Sequence, residues 1–125
     1  MRLISREVGL GLDLLQYLYC SQGSGEPITA CQMATDLQES EMFIQKILHR
    51  LKRNGFVNSR RGPGGGFRFV PGIEFVTLDR FFNVLHKGFE PGILTTKFAS
   101  EIGQRLISDV LKQTTIKEVI TDGSH

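Results

Sequence analysis

Arg60-Arg61-Gly62-Pro63-Gly64-Gly65-Gly66-Phe67-Arg68-Phe69 is the stretch on which the reading of this chain turns. Its turn-forming centre separates two short runs, Phe56-Val57-Asn58-Ser59-Arg60 and Phe67-Arg68-Phe69-Val70, that read as the strands of a hairpin. The connection is too long for a two-residue turn and too rich in glycine to be rigid. Outward from it, no acidic residue occurs between Met42 and Ile73, while Lys46, Arg50, Lys52, Arg53, Arg60, Arg61 and Arg68 all fall in that window. The remaining chain carries eight Lys/Arg against thirteen Asp/Glu, so the modest net charge of +2 hides a strong asymmetry. A basic face on an otherwise acidic body is the footprint of polyanion binding.

The basic window begins on a helix. Ser40 is a good N-cap, and Ile44, Ile47, Leu48 and Leu51 repeat at helical spacing to form an inward stripe. Met42, Gln45, Lys46, His49, Arg50 and Arg53 occupy the opposite face, and Asn54-Gly55 ends the element. Upstream, Thr29 with Gln32 forms a capping box for a short helix that buries Met33, Ala34 and Leu37. Two short helices joined by a few residues, the second with a basic outer face, make a helix-turn-helix. A first helix over Ser5–Cys20 presents Val8, Leu12, Leu15 and Tyr19, widened by Leu14 and Leu18, while Gly9 and Gly11 offer close approach to another helix. Arg2 and Arg6 at its start oppose the helix dipole and suit an external anion, with ordinary surface arginines as the competing reading.

Downstream, Thr77 caps a fourth helix with Leu78, Phe81, Phe82 and Leu85 inward. A longer helix is expected over Thr95–Gln113. Its apolar positions, among them Phe98, Ile102, Leu106 and Val110, are wider than one core-facing stripe requires, which points to a second chain. Thr115 to Glu118 opens a short last helix. The expected architecture is mainly α with a small β-hairpin: a winged helix-turn-helix over residues 1–86, then a dimerisation helix and tail over residues 87–125.

Composition excludes several classes. At 125 residues the chain suits one domain with an appended element. No apolar run is long enough to span a membrane, and the start lacks the pattern of a signal peptide, so a cytoplasmic protein is expected. Gly62–Gly66 lacks the Lys and Ser/Thr of a nucleotide loop, and His49, His86 and His125 are scattered, so no enzyme is expected. His86 reads as a capping or surface residue. Cys20 and Cys31 are too few for a disulfide framework or a four-cysteine zinc site. Both read as buried structural thiols in preference to a redox switch.

The residue types fit double-stranded DNA. On the outer face of the third helix, Gln45 can bond an adenine edge and Arg50 or Lys46 a guanine edge or a phosphate. Ser40 and the free amides beside it suit phosphate. Gly62, Gly64 and Gly65 let the main chain approach the sugars, with Arg60 beside them, and Arg61 can reach a narrow minor groove.

Leu51-Lys52-Arg53-Asn54-Gly55-Phe56-Val57-Asn58-Ser59-Arg60-Arg61-Gly62-Pro63-Gly64-Gly65-Gly66-Phe67 resembles the wing signature of the Rrf-type bacterial transcription regulators, the family of IscR, NsrR and CymR. Met1-Arg2-Leu3-Ile4-Ser5 resembles that family's opening, and Val76-Thr77-Leu78 its segment before the fourth helix. The resemblance implies a homodimer on a palindromic site, paired through the long helix. By position it implies base or backbone contacts for Ser40, Met42, Phe43 and Gln45, and a minor-groove role for Arg61. Cluster-binding members carry three cysteines between the fourth helix and the dimer helix. Here His86 to Leu94 has none, so no iron–sulfur cluster or other cofactor is expected. The expected function is a DNA-binding regulator, acting as a repressor, with an effector or partner protein as its unread signal. The alternative is a winged-helix module whose basic face binds an acidic protein.

Overall fold

Helix α1 (Arg6–Cys20) is the scaffold on which the other elements pack, and its buried face is centred on Val8, Gly11, Leu14, Leu15 and Leu18. A computed structural model describes residues 6–85, 105 and 108–122. The stripe read from sequence is rotated slightly: Leu12 and Tyr19 lie at its half-buried margin. Gly11 explains the rotation. A Cβ there would stand 2.3 Å from Leu85 Cδ1 and 3.0 Å from Phe81 Cζ, so a neighbouring helix rests directly on that position. Gly9 has open space around it, so only one of the two glycines serves close approach.

After a 3-10 turn at Gln22–Ser24, α2 (Ala30–Leu37) begins where Thr29 accepts a hydrogen bond from the Gln32 amide at 3.1 Å. Helix α3 (Glu41–Arg53) follows, then strands β1 (Val57–Arg60) and β2 (Gly66–Phe69), a 3-10 turn at Ile73–Phe75 and α4 (Leu78–Leu85). The strands pair antiparallel with Val57 opposite Phe69 and Arg60 opposite Gly66. Rings tie this hairpin to the helices. Tyr19 meets Phe69 edge-on at 5.2 Å between centroids, and Phe56 meets Phe81 at 5.7 Å. Leu78, Phe81, Phe82 and Leu85 all face inward as their spacing requires.

The Thr77 hydroxyl bonds the Asp79 carboxylate at the start of α4. The backbone beside it is used less locally. The Leu78 amide donates to the Thr114 carbonyl at 2.8 Å, and the Ile116 amide donates to the Val76 carbonyl at 2.9 Å. This pairing delivers α5 (Ile116–Asp122) onto α1, where the Gln16 carboxamide donates to the Ile120 carbonyl at 2.9 Å. Ile116 and Ile120 are fully buried in the same core as α1 and α3. Each such side chain contributes about 1.5–3 kcal/mol relative to exposure. The last helix thus shares the core of the amino-terminal elements. Most of the long helix expected over residues 95–113 lies outside the described residues; positions 105 and 108–113 are helical.

Candidate nucleic-acid interface

The turn between α2 and α3 sets the angle of the outer helix. Gln38 adopts the left-handed conformation at φ 56°, which a residue with a side chain takes only at a cost. Its amide returns to the carbonyls of Ala34 and Thr35 and closes α2. Ser40 then opens α3 by accepting from the Phe43 amide at 3.2 Å. Arg6 locks the turn from outside. Its guanidinium is 2.8 Å from the Glu39 carboxylate and lies over the Phe43 ring, 4.6 Å from the centroid. Arg6 is therefore committed to an internal anion and an internal ring, contrary to its reading as a site for an external anion. Phe43 is half-buried beneath it.

Helix α3 divides as its periodicity demands. Ile44, Ile47, Leu48 and Leu51 are inaccessible to solvent, while Met42 is 82% exposed, and Gln45, Lys46 and His49 are exposed beside it. Arg50 departs from the expected outward set. It turns along the body and donates to the Leu85 carbonyl at 2.8 Å. The last carbonyls of a helix have no partner within it, so the end of α4 offers Arg50 an acceptor that its own helix cannot supply.

The hairpin stands beside α3, and the two enclose an open groove of about 410 Å³ with the start of α2. Gln45 and His49 line it from the helix; Arg60, Arg61, Gly62 and Gly65 line it from the wing. Met42, Lys46 and Gly64 are exposed but do not line it. Lys52, Thr29, Cys31 and Glu41 line it as well. Lys52 belongs to the basic window, whereas Glu41 escapes the sequence reading, its one clue being its place four residues before Gln45. Arg68, although on the wing, is held elsewhere by the Gly25 carbonyl.

The glycines of the wing serve two ends: Gly62 and Gly64 take positive φ in open space, whereas Gly65 and Gly66 answer close packing. Ile28 and Phe67 exchange backbone hydrogen bonds at 2.9 and 2.7 Å, adding a third short segment to the hairpin. Gly66 sits against that segment at φ 147°, and a Cβ would fall 2.6 Å from the Ile28 carbonyl carbon. A side chain is excluded there twice, by backbone conformation and by space. The Gly65 amide donates to the Gly62 carbonyl at 2.9 Å and closes the tip.

The expectation of buried thiols fails. Cys20 and Cys31 are both free and exposed, because each lies at a helix end and not in an apolar stripe. Arg2, Phe98, Ile102 and Leu106 lie outside the described residues, and Val110 is 59% exposed. Among the described residues, no group of three or more His, Cys, Asp or Glu is arranged to hold a metal ion. No helix among them is long and apolar enough to cross a membrane.

Two shifted groups flank the turn. Partial burial, and then the Glu39 carboxylate, raise the Asp13 carboxyl above its ordinary range. The hydrogen bond from Tyr17 to the Asp36 carboxylate raises the Tyr17 phenol.

Residues 4–87 match the family described as Rrf2, iron-dependent transcriptional regulator. Among solved structures, a Listeria innocua protein assigned to transcriptional regulation superposes with a TM-score of 0.79 at 23% identity, covering 98% of this chain and 88% of that one. CymR, the global cysteine regulator of B. subtilis, gives 0.75 at 22% identity over 97% of this chain and 98% of its own. IscR of T. potens gives 0.75 at 21% identity over 97% and 88%. These likenesses establish a shared fold, the winged helix with its two-stranded hairpin. No curated protein matches the chain.

Proposed function

The chain belongs to the Rrf2 family of transcriptional regulators, and from that premise we propose that it binds double-stranded DNA as a homodimer and represses transcription. The observation that carries this reading is the groove in which Gln45 and His49 of α3 face Arg60 and Arg61 of the wing. A helix fits the major groove, where base pairs present distinct donors and acceptors. With α3 there, Gln45 meets an adenine edge and exposed Met42 offers apolar surface to a thymine methyl. Lys46 and His49 lie along the same face. The Ser40 oxygen is taken by the Phe43 amide, which leaves the hydroxyl proton to donate to a phosphate. The wing then lies along the backbone. Arg61 enters the minor groove, while Arg60, Gly62, Gly64 and Gly65 follow the sugars and phosphates. These contacts supply affinity, and α3 supplies sequence choice. Arg50, bonded to Leu85, steadies α3 and reads no base.

Residues 1–86 form the DNA-binding part on this reading, completed by the return of α5. Within residues 87–125, Phe98, Ile102, Leu106 and Val110 pair with a second copy. Two-fold symmetry then places two recognition helices on a palindromic operator.

The family description carries iron, and the donor set of this chain does not fit a cluster. A cluster needs several thiolates converging on one site, whereas the sequence supplies only Cys20 and Cys31, at the end of α1 and the start of α2. We therefore propose a regulator that works without a cluster; a visible absorbance band in the protein as isolated is the result that would overturn this.

The test of function is selection of bound DNA from a random pool, followed by salt titration of the selected site. Affinity should fall steeply with salt, and Arg60→Ala should lower the log–log slope by about one while weakening all sequences alike. If no DNA is enriched, and Arg61→Ala with Lys46→Ala instead abolishes capture of an acidic protein, the groove serves protein recognition.

A further inference from the structure

Glu41 is an anion on the edge of a groove that otherwise presents cations, and it is engaged. Its carboxylate accepts a hydrogen bond from the Gln45 carboxamide at 3.1 Å, one helical turn away. Both side chains are exposed and both line the groove. A carboxylate only accepts, so this contact fixes the amide: its nitrogen faces Glu41, and its oxygen points away. A flipped amide would set oxygen against oxygen.

We infer that Glu41 is a positioning residue that restricts Gln45 to adenine and rejects guanine. The inference rests on the reading that α3 enters the major groove. An unrestrained glutamine amide can read either purine. It meets adenine with one N–H on N7 and its oxygen on the N6 amino group; it meets guanine with two N–H groups, on N7 and O6. Glu41 occupies one of the two N–H groups. The remaining N–H and the oxygen match adenine in full. Against guanine the same arrangement sets the amide oxygen toward O6, and one acceptor goes unpaired. Pairing a wanted contact with a penalty for the competitor is how interfaces achieve specificity. Nearby cations do not replace this device. Arg61 belongs to the wing, and Arg50 is turned to Leu85, so neither holds the Gln45 amide.

The experiment compares wild type, Glu41→Ala, Glu41→Gln and Gln45→Ala on the DNA selected by the wild type, and on the same DNA with each adenine in turn replaced by guanine. Wild type should prefer adenine at one position of each half-site by about five- to a hundredfold, the range of one good bidentate contact. Glu41→Ala should collapse that ratio toward unity at that position alone. Glu41→Gln, which offers a donor as readily as an acceptor, should do the same. Gln45→Ala should lose the preference too, and adding Glu41→Ala to it should change the ratio no further. Affinity for unrelated DNA should stay equal or rise in the Glu41 variants, a readout that mere unfolding of α3 would move downward. A variant that keeps the wild-type adenine preference overturns the inference. A wild type that binds DNA with no salt dependence, or not at all, overturns the DNA-binding reading itself.

Discussion

Helix α3 and the wing are the two basic walls of one groove, and they are held in different ways. The helix is set by its side chains: Ile44, Ile47, Leu48 and Leu51 are inaccessible, and rotation about the helix axis would expose them. The wing is rooted in the core by the buried side chains of Val57 and Phe69, and toward its tip it is set by its backbone, through the Ile28–Phe67 hydrogen bonds and the contact of Gly66 with Ile28. Side-chain packing fixes which residues of α3 face outward, as base reading would require. Toward the tip, backbone anchoring leaves Arg60 and Arg61 on the groove, as phosphate binding would require, while Arg68 nearer the base is bound to the Gly25 carbonyl. The cations follow suit: Arg50 of α3 is spent on Leu85, whereas Arg60 and Arg61 line the groove. A count of basic residues would weigh these alike.

The comparison can be broken from either side. Leu48→Ala removes an inaccessible side chain beneath α3 and should cost about 2–5 kcal/mol in chemical denaturation, with the groove lost along with the fold. Gly66→Ala forces a side chain into a left-handed, crowded position. It should cost about 1–3 kcal/mol from backbone strain alone, and should weaken DNA binding more than an equally destabilising change in α1, because the wing itself moves. Arg6→Ala tests the turn. It removes one exposed ion pair and one ring contact, so thermal unfolding should register no more than about 1 kcal/mol. The smallest effect belongs to Asp13→Asn. The folded carboxyl is raised, so its ionised form opposes folding at neutral pH and the protonated form does not. The variant should melt slightly above wild type at pH 7, and the difference should vanish as pH falls below the ordinary carboxylate range. A difference that grows with acid would contradict the stated cause.

Much of this was legible in the chain because it is local. Ser40 and Thr29 announce their helices by capping, α3 announces its inner face by period, and the hairpin follows from its glycine-rich tip. What escaped depends on partners far away in sequence. Arg50 sits near the border of two helical faces, and only the arrival of the Leu85 carbonyl, 35 residues on, decides where it turns. Arg6 reads as a solvent arginine until Glu39, 33 residues on, and Phe43 come beneath it. The Ile28–Phe67 pairing is one bridge long and has no period to detect. Cys20 and Cys31 were misjudged because cysteine is often buried, and a type-wide tendency ignores a helix end. Gln45 and Arg61, both singled out by the sequence, line the groove, whereas Glu41 gains meaning only through its hydrogen bond to Gln45.

The bond from Gln16 to Ile120 joins residues 104 apart. Synthesis runs from the amino end at about 5–20 residues per second, so α1 is complete seconds before its partner exists. Until Ile116 and Ile120 emerge, the seat they fill on α1 stays open to water and to other chains. Closing so long a loop costs little more than closing a short one, since the entropy grows only as about 3/2 RT ln n. The penalty is therefore one of waiting: the newborn chain carries a vacant apolar socket on α1 until α5 arrives to fill it.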